Sequence, residues 1–536
     1  MINENSINTL ADYINRSLEI HESNLFLAEI DGEQLTYGQT RIKLQEIKMI
    51  FKKEGIKPGD KIALLGLNSI HWALTYLAIV TYGAVAVPIL NDFNNTSIHN
   101  IITISDSKLI FISSSLLDKI EGVSFRQLEK AYLLEDFSEF NLKSIPQILS
   151  QIKERVYEFK QYANHYLSEY LPNFHHEFQP QKDDLAAIVY TSGTTGNSKG
   201  VMLTHHNIVA DIFGGVKYVP LLNADDRFLS LLPLAHTYEC TIGLLVPLYA
   251  GASVHYLKQK PSPKVLLQAF EKVKPTLVCV VPLVIEKIYR KKIAPRLEGS
   301  FILRHCLRVG FLRRLIYRKA ASELFRSLGG SIIWMGIGGA ALHPEVERFL
   351  YEGRFPYSIG YGMTECSPLI SGSGVKDKRR LSAGYALPGS QIRIDAPDPK
   401  TGIGEVQVKG PIVTLGYYKN SEETAKLFTP DGWLKTGDLG YLDRHHYLFL
   451  KGRSKNVIVG ASGENIYPEE IEPLINQYST VVESLVIKKN GKLTAFIYPD
   501  YDALRNELHL FDLDEKEIKS RINSYFNHMI HDINAG

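Results

Sequence analysis

The sequence predicts an α/β protein with parallel sheets, followed by a β-rich stretch and a small α+β unit. Three observations carry this. Between residue 35 and Met335, short apolar runs alternate with amphipathic helical stretches, the pattern of parallel strands joined by crossover helices. From about Gly384 to Leu450 the texture changes to short strands and glycine turns. Around Lys451-Gly-Arg-Ser-Lys455 it changes again, and the remainder reads as strand, helix and two strands. At 536 residues the chain is too long for one core, so two or more domains are expected.

The elements follow in order. Leu35-Thr-Tyr-Gly-Gln39 opens an amphipathic helix that runs through Phe51. The turn Lys57-Pro-Gly-Asp60 leads into a strand over 61–65, a helix over 69–81 and a strand over 84–88, and another apolar strand begins near Leu109. Residues 62–91 contain no Asp, Glu, Lys or Arg. Asn68, His71, Gly83 and Pro88 interrupt them, which fits a buried strand–helix–strand unit better than a membrane span. A strand is expected over 185–190, and further strands over 228–232, 252–256, 276–281 and 331–335. Beyond a boundary at 453–456, a strand over 457–459, a helix over 468–477 and strands over 481–488 and 492–498 form the α+β unit.

Bulk composition narrows the function. Hydrophobic content of 45% and charged content of 22% are those of an ordinary globular protein. A net charge of +2 gives no global electrostatic case for nucleic acid. Cys240, Cys279, Cys306 and Cys366 have no paired spacing, so they read as reduced thiols of a cytoplasmic protein rather than a metal site or disulfide frame. The N-terminus lacks a basic start followed by an apolar core, so no signal peptide is expected.

The most informative segment is Tyr190-Thr-Ser-Gly-Thr-Thr-Gly-Asn-Ser-Lys-Gly200. Gly193, Gly196 and Gly200 let backbone approach a ligand closely. Thr191, Ser192, Thr194, Thr195 and Ser198 offer hydroxyls, and Lys199 adds a fixed positive charge. A glycine and hydroxyl loop leaving a strand is suited to cradling phosphate oxygens. It lacks the Gly-x4-Gly-Lys-Ser/Thr spacing of a Walker P-loop. The string closely resembles the phosphate-binding signature of the adenylate-forming enzymes: acyl-CoA synthetases, luciferases and peptide-synthetase adenylation domains.

Four further segments carry the resemblance. Leu232-Pro-Leu-Ala-His236-Thr-Tyr-Glu239 resembles a Pro-Leu-x-His segment of acyl-CoA synthetases, and its form looks most like the long-chain fatty acid branch. The resemblance puts His236 where the acyl carboxylate meets the α-phosphate, although a lone histidine is more often structural. Gly336-Ile-Gly338-Gly339-Ala340-Ala341 fits Gly-x-Gly-x-x-Ala. A dinucleotide fold would need an acid about twenty positions on, a role that Glu352 and Glu365 fit badly. In the family this turn lies under the adenine and beside the acyl channel. Gly360-Tyr361-Gly362-Met363-Thr364-Glu365 matches the family motif residue by residue. It implies Tyr361 stacked on the base, Thr364 on a phosphate oxygen and Glu365 as a Mg2+ ligand, a cation that takes few protein carboxylates. Trp433-Leu-Lys-Thr436-Gly437-Asp438 and Gly452-Arg453 imply ribose and phosphate contacts through Asp438 and Arg453. Lys455 matches the hinge, and Gly463 matches the glycine beside which the CoA arm passes.

The resemblance runs from about residue 25 to about 500. It implies an AMP-binding N-terminal domain over 1–453, made of two α/β lobes plus a β-rich subdomain over about 384–450. A small mobile α+β C-terminal domain over 454–536 would rotate about Lys455. The implied reaction joins a long-chain fatty acid to ATP with Mg2+, giving acyl-AMP and pyrophosphate, and then transfers the acyl group to CoA. The implied nucleotide site comprises Thr191, Ser192, Gly193, Thr194, Thr195, Gly196, Gly338, Gly339, Ala340, Tyr361, Gly362, Met363, Thr364, Asp438 and Arg453. His236, Lys199, Thr364 and Glu365 carry the chemistry, with Glu365 on the metal. An acyl pocket is expected around Tyr238, Leu244, Val281, Gly338 and Ile370.

One departure concerns the C-terminus. Family members end in Pro-x-Thr-x-x-x-Lys, whose lysine serves adenylation, and no such segment stands here. The small domain is therefore expected to be incomplete and adenylation slow. Two other readings stay open: a ligase that passes the acyl group to a carrier protein, and a lipid or nucleotide sensor built on the fold. Residues 290–326 are rich in Arg and Lys interleaved with apolar residues. They are read first as a solvated helix face over the acyl channel, and second as a contact with an anionic membrane surface at its cytoplasmic face.

Overall fold

The computed structural model describes residues 4–122, 125, 127–128, 130–142, 145, 178–191, 198–219, 222–259, 262–299, 301–459, 465–489, 492–511 and 513–535. The chain divides into two compact units. The first comprises Met1–Ile285, His305–Ile392 and Val408–Leu434; the second comprises Glu286–Arg304, Arg393–Gln407 and Lys435–Gly536.

The first unit holds two seven-stranded sheets. Its strands in chain order are β1 (Leu25–Glu29), β2 (Gln34–Thr36), β3 (Lys61–Leu65), β4 (Val85–Ile89), β5 (Ser107–Ile112), β6 (Lys130–Leu133), β7 (Glu139–Phe140), β8 (Leu185–Thr191), β9 (Lys199–Thr204), β10 (Arg227–Ser230), β11 (Ser253–Tyr256), β12 (Leu277–Val280), β13 (Trp334–Ile337) and β14 (Tyr357–Ile359). One sheet has the order β14-β13-β12-β10-β11-β1-β2, the other β7-β6-β5-β3-β4-β8-β9. Pairing is parallel through the centre of each sheet and antiparallel only at β1–β2, β6–β7 and β8–β9.

Local sequence explains the expected elements. The helix Tyr37–Lys53 opens with a capping box: Gln39 N–H donates to Thr36 Oγ1 at 3.1 Å and Gln39 Oε1 accepts from Thr36 N at 2.9 Å. The helix Ile70–Tyr82 is capped by Ser69 and stopped by Gly83 at φ 84, a left-handed position that glycine takes without strain. Nearly all its residues are buried, which is why residues 62–91 carry no charge. Val85, Val87, Ile89, Ile110 and Ile112 fill a core with Ile98, Ile101 and Ile102 of the helix Asn95–Ile104. Among the described residues no helix is long and apolar enough to cross a membrane.

Of the elements that differ from the sequence reading, two lie beside the motifs. The strand expected over 331–335 begins at Trp334, because Ile333 N–H and Trp334 N–H both donate to Thr276 O and the ladder with β12 starts only there. Strand β9 was not foreseen: it pairs antiparallel with β8, Thr191 opposite Lys199. The hydroxyl-rich segment therefore leaves strand β8 at Thr191 and is followed by an antiparallel strand. The apolar run Val201-Met202-Leu203 is too short to signal a strand alone.

After β14 come β15 (Tyr361–Gly362), β16 (Leu369–Gly372) and β17 (Tyr385–Ala386), a small antiparallel sheet. The β-rich stretch then gives a four-stranded sheet of β18 (Gln391–Asp395), β19 (Gly404–Lys409), β20 (Leu434–Leu442) and β21 (Leu448–Arg453). In the second unit, β22 (Ile458–Val459) pairs with β23 (Asn465–Ile466), and β24 (Val481–Lys489) with β25 (Lys492–Pro499). The helix Pro468–Asn476 joins the β24–β25 pair around Ile475, Val481, Val486 and Met529. The expected boundary falls at the end of β21, where the turn Ser454–Asn456 follows. The last stretch of the second unit starts earlier, at Lys435, because β20 and β21 are tied by their own ladder.

Candidate active site

The β8–β9 hairpin delivers Lys199 to a cluster of four side chains. Its loop residues Ser192, Gly193, Thr194, Thr195 and Gly196 lie outside the described residues. Lys199 forms an ion pair with Glu423, and its ammonium lies 5.0 Å from the Tyr417 ring centroid. The hydrogen bond from Lys199, joined by one from Lys426, holds the Glu423 carboxyl down at about 2. The Tyr417 hydroxyl donates to Glu365 Oε1 at 2.7 Å. Burial, then the Glu365 carboxylate, push the Tyr417 hydroxyl far above its ordinary pKa, so it remains a donor. Tyr418 N–H donates to Gly200 O at 2.7 Å, which fastens this segment along β9. Tyr417 and Glu423 were not foreseen. The only sequence trace is Gly416-Tyr-Tyr418 inside a polar turn.

Glu365 is placed by the ends of two parallel strands. β13 and β14 pair in register, Ile337 opposite Ile359, so Gly338–Ala340 and Gly360–Glu365 leave from the same edge. Ligands of open α/β sheets bind at the carboxyl ends of strands. Gly338 is buried, while Gly339 (φ 88) and Ala340 are exposed. Gly362 has no alternative: a Cβ there would lie 2.0 Å from Pro368 O. Met363 N–H donates to Pro368 O at 2.9 Å. Tyr361 is buried. Thr364 and Glu365 share the short turn Thr364–Cys366, and the Glu365 residue is only 7% exposed. One buried carboxylate beside a threonine hydroxyl and open backbone suits Mg2+, which keeps most of its shell for water and phosphate. Glu352 ends the helix Pro344–Glu352 and is held by Arg313 through bonds of 2.8 and 2.9 Å, which leaves it no ribose role.

Behind these strand ends lies a cavity of about 20 Å³. Tyr238 lines it and comes within 3.5 Å of where a Gly338 Cβ would stand; Val281 lies 3.6 Å from the corresponding point at Gly339. Leu244 and Ile370 are wholly buried, and it is their near neighbours Ile242 and Leu369 that line the cavity. His236 keeps an open face to solvent, yet the protein crowding around it lowers its pKa, opposed only by Asp92. Its imidazole is neutral at pH 7. Nearby Glu239 is buried, and desolvation lifts its carboxyl to about 8, so it is held protonated.

In the second unit, Asp438 on β20 stands opposite Arg453 on β21. Arg453 Nε lies 3.1 Å from Asp438 Oδ1. Gly437 takes φ 73, and the Asp438 N–H donates to Thr436 Oγ1 at 3.1 Å. The Arg453 side chain is 63% exposed, so the pair is open to a ligand. Lys455 is exposed in the turn Ser454–Asn456. Gly463 lies outside the described residues.

A buried carboxylate at the carboxyl edge of parallel strands and a lysine-bearing pair of strands fit a ligase of the adenylate-forming class. Residues 19–418 match the AMP-binding enzyme family, and the chain belongs to that family. Its curated relatives include a peroxisomal long chain acyl-CoA synthetase 7 of Arabidopsis thaliana, 28% identical over 93% of this chain and 74% of that protein. Another is the chloroplastic long-chain-fatty-acid–[acyl-carrier-protein] ligase AEE15 of the same plant, 29% identical over 87% and 72%. Among solved structures, ATP-bound MatB from Rhodopseudomonas palustris is 25% identical, with a TM-score of 0.69 over 96% of this chain and 92% of that one. The protein is thus an acyl-CoA or acyl-carrier-protein ligase by family. Enzymes of this family use ATP, Mg2+ and CoA.

Proposed function

We propose that the protein activates a long-chain fatty acid with ATP and passes the acyl group to CoA. The observation that carries this is the chain Glu365–Tyr417–Lys199–Glu423, together with the long-chain relatives. A carboxylate oxygen of the acid attacks the α-phosphorus, the bond to the bridging oxygen breaks and pyrophosphate leaves. The CoA thiol then attacks the acyl carbonyl carbon and loses its proton, and AMP departs. Thr364 and Glu365 would hold Mg2+, which supplies charge neutralisation on the phosphates when bound. Lys199 adds a second positive charge to the leaving phosphates. Neutral His236 orients the acyl carboxylate, and that positioning lowers the barrier. Tyr361 and the Gly338–Ala340 turn bed the adenine, and Asp438 and Arg453 take the ribose. Lys455 serves as a hinge.

The test is ATP–pyrophosphate exchange across a series of fatty acids, followed by acceptor assays with CoA and with acyl carrier protein. Exchange that peaks with long chains and thioester formed on CoA support the reading. Thioester formed only on carrier protein would select the second acceptor, which the AEE15 relative keeps in view. Bound ATP with no exchange for any acid would refute it.

We also infer that the protein works against the cytoplasmic face of an anionic membrane. The helix Phe301–Arg308 buries none of its side chains. It exposes Phe301 and Ile302 beside Arg304 and Arg308, the composition of a helix lying in a lipid headgroup layer. The helix Gly310–Ser327 likewise exposes Phe311 and Leu315 with Arg314, Arg318 and Lys319.

A further inference from the structure

Trp334 and Gly336 point to one side of β13, since side chains alternate along a strand. The indole lies across Gly336. A Cβ on Gly336 would stand 2.3 Å from Trp334 Cη2 and 2.8 Å from Tyr238 Oη, so the two rings occupy the space that a side chain at 336 would fill. Tyr218, Ile242 and Leu369 complete the wall. What remains is the cavity of about 20 Å³, room for about one water molecule, so an acyl chain of several methylenes enters only by displacing the Tyr238, Ile242 and Leu369 side chains that line it. Trp334 is only 6% exposed, and its buried Nε1 has no hydrogen-bond partner among the described residues. Among the described residues no acceptor holds the indole, so contact fixes its position.

The same Tyr238 ring that touches Trp334's neighbour Gly336 also flanks Gly338 at the nucleotide edge. A chain that passes Gly338 and Tyr238 into this cavity meets Trp334 next. We propose that Trp334 is the floor of the acyl site and sets the longest acyl chain the protein accepts. This rests on the acyl-ligase reading and adds a specificity-determining residue to it. Gly336 is the complementary feature, because only its missing side chain lets the indole lie there.

The probe is a series of N-acylsulfamoyl adenosines of rising chain length, with affinity measured by calorimetry. Binding alone is read, so turnover is not required. In the natural protein each methylene that enters tightens binding about fourfold, from the burial energy of one CH2, and the gain stops where the tail reaches the indole. Trp334→Val should carry the gain on to longer chains at about fourfold per added methylene. Gly336→Ala should stop it at a shorter one, since its Cβ pushes Trp334 and Tyr238 into the channel. Trp334→Phe gives a smaller shift in the same direction as Trp334→Val and stands in if either other variant does not fold. A break at one chain length in all folded proteins would overturn the floor while leaving the ligase reading intact. If no analogue bound more tightly than sulfamoyl adenosine without its acyl group, the ligase reading itself would fall, and this proposal with it.

Discussion

Replacing Tyr417 by Phe removes a single hydrogen-bond donor from a buried carboxylate. The hydroxyl donates to Glu365 Oε1 at 2.7 Å, and Glu365 is 7% exposed. The ring over which Lys199 sits at 5.0 Å is retained. A hydrogen bond to a charged group contributes roughly 1.5–3 kcal/mol, which is about a 10- to 100-fold change in an equilibrium. The loss of a partner that orients a metal-binding carboxylate also lowers metal affinity or activity about 10- to 100-fold. The two estimates agree. Calorimetric titration with ATP, with and without Mg2+, should show Tyr417→Phe binding Mg2+–ATP about 10- to 100-fold more weakly. Affinity for ATP alone should be unchanged. Equal Mg2+–ATP affinity in two folded proteins would refute the reasoning. So would a loss of equal size without Mg2+, because Tyr417 would then act on the nucleotide and not through Glu365.

Three further outcomes are expected. His205 is wholly buried, neither ring nitrogen is bonded among the described residues, and desolvation lowers its pKa to about 4. The unfolded chain titrates near 6.5 and so binds more protons between those values; stability is full above about pH 6.5 and falls below it, by about 2 kcal/mol at pH 5. Urea denaturation at pH 7 and pH 5 measures this, and His205→Phe should remove most of that difference. Gly362→Ala places a Cβ 2.0 Å from Pro368 O, a backbone atom. The cost should exceed the roughly 1–3 kcal/mol of ordinary overpacking, and an unchanged melting temperature would contradict the geometry. Co-sedimentation with phosphatidylglycerol vesicles should exceed that with phosphatidylcholine and fall with salt. Phe301→Ser with Ile302→Ser should weaken it more than tenfold from lost apolar burial; equal binding to both lipids would rule out the membrane contact.

Elements whose signals are local could be read along the chain. Strand Lys61–Leu65, the helix capped at Ser69 and the β24–β25 pair all appear where apolar runs meet turn residues, since backbone torsion and burial are written over a few neighbouring positions. The motif residues Gly338, Gly362, Thr364, Glu365 and Asp438 were legible for the same reason: each motif is contiguous, and steric need at a glycine such as Gly362 acts within six residues. Tertiary structure alone decided the rest. Tyr417 reaches Glu365 across 52 positions, and Lys199 reaches Glu423 across 224. Trp334 closes a cavity with Tyr218 and Tyr238, which come from other parts of the chain. Sheet order brings these side chains together, and no window of sequence contains both partners of such a contact.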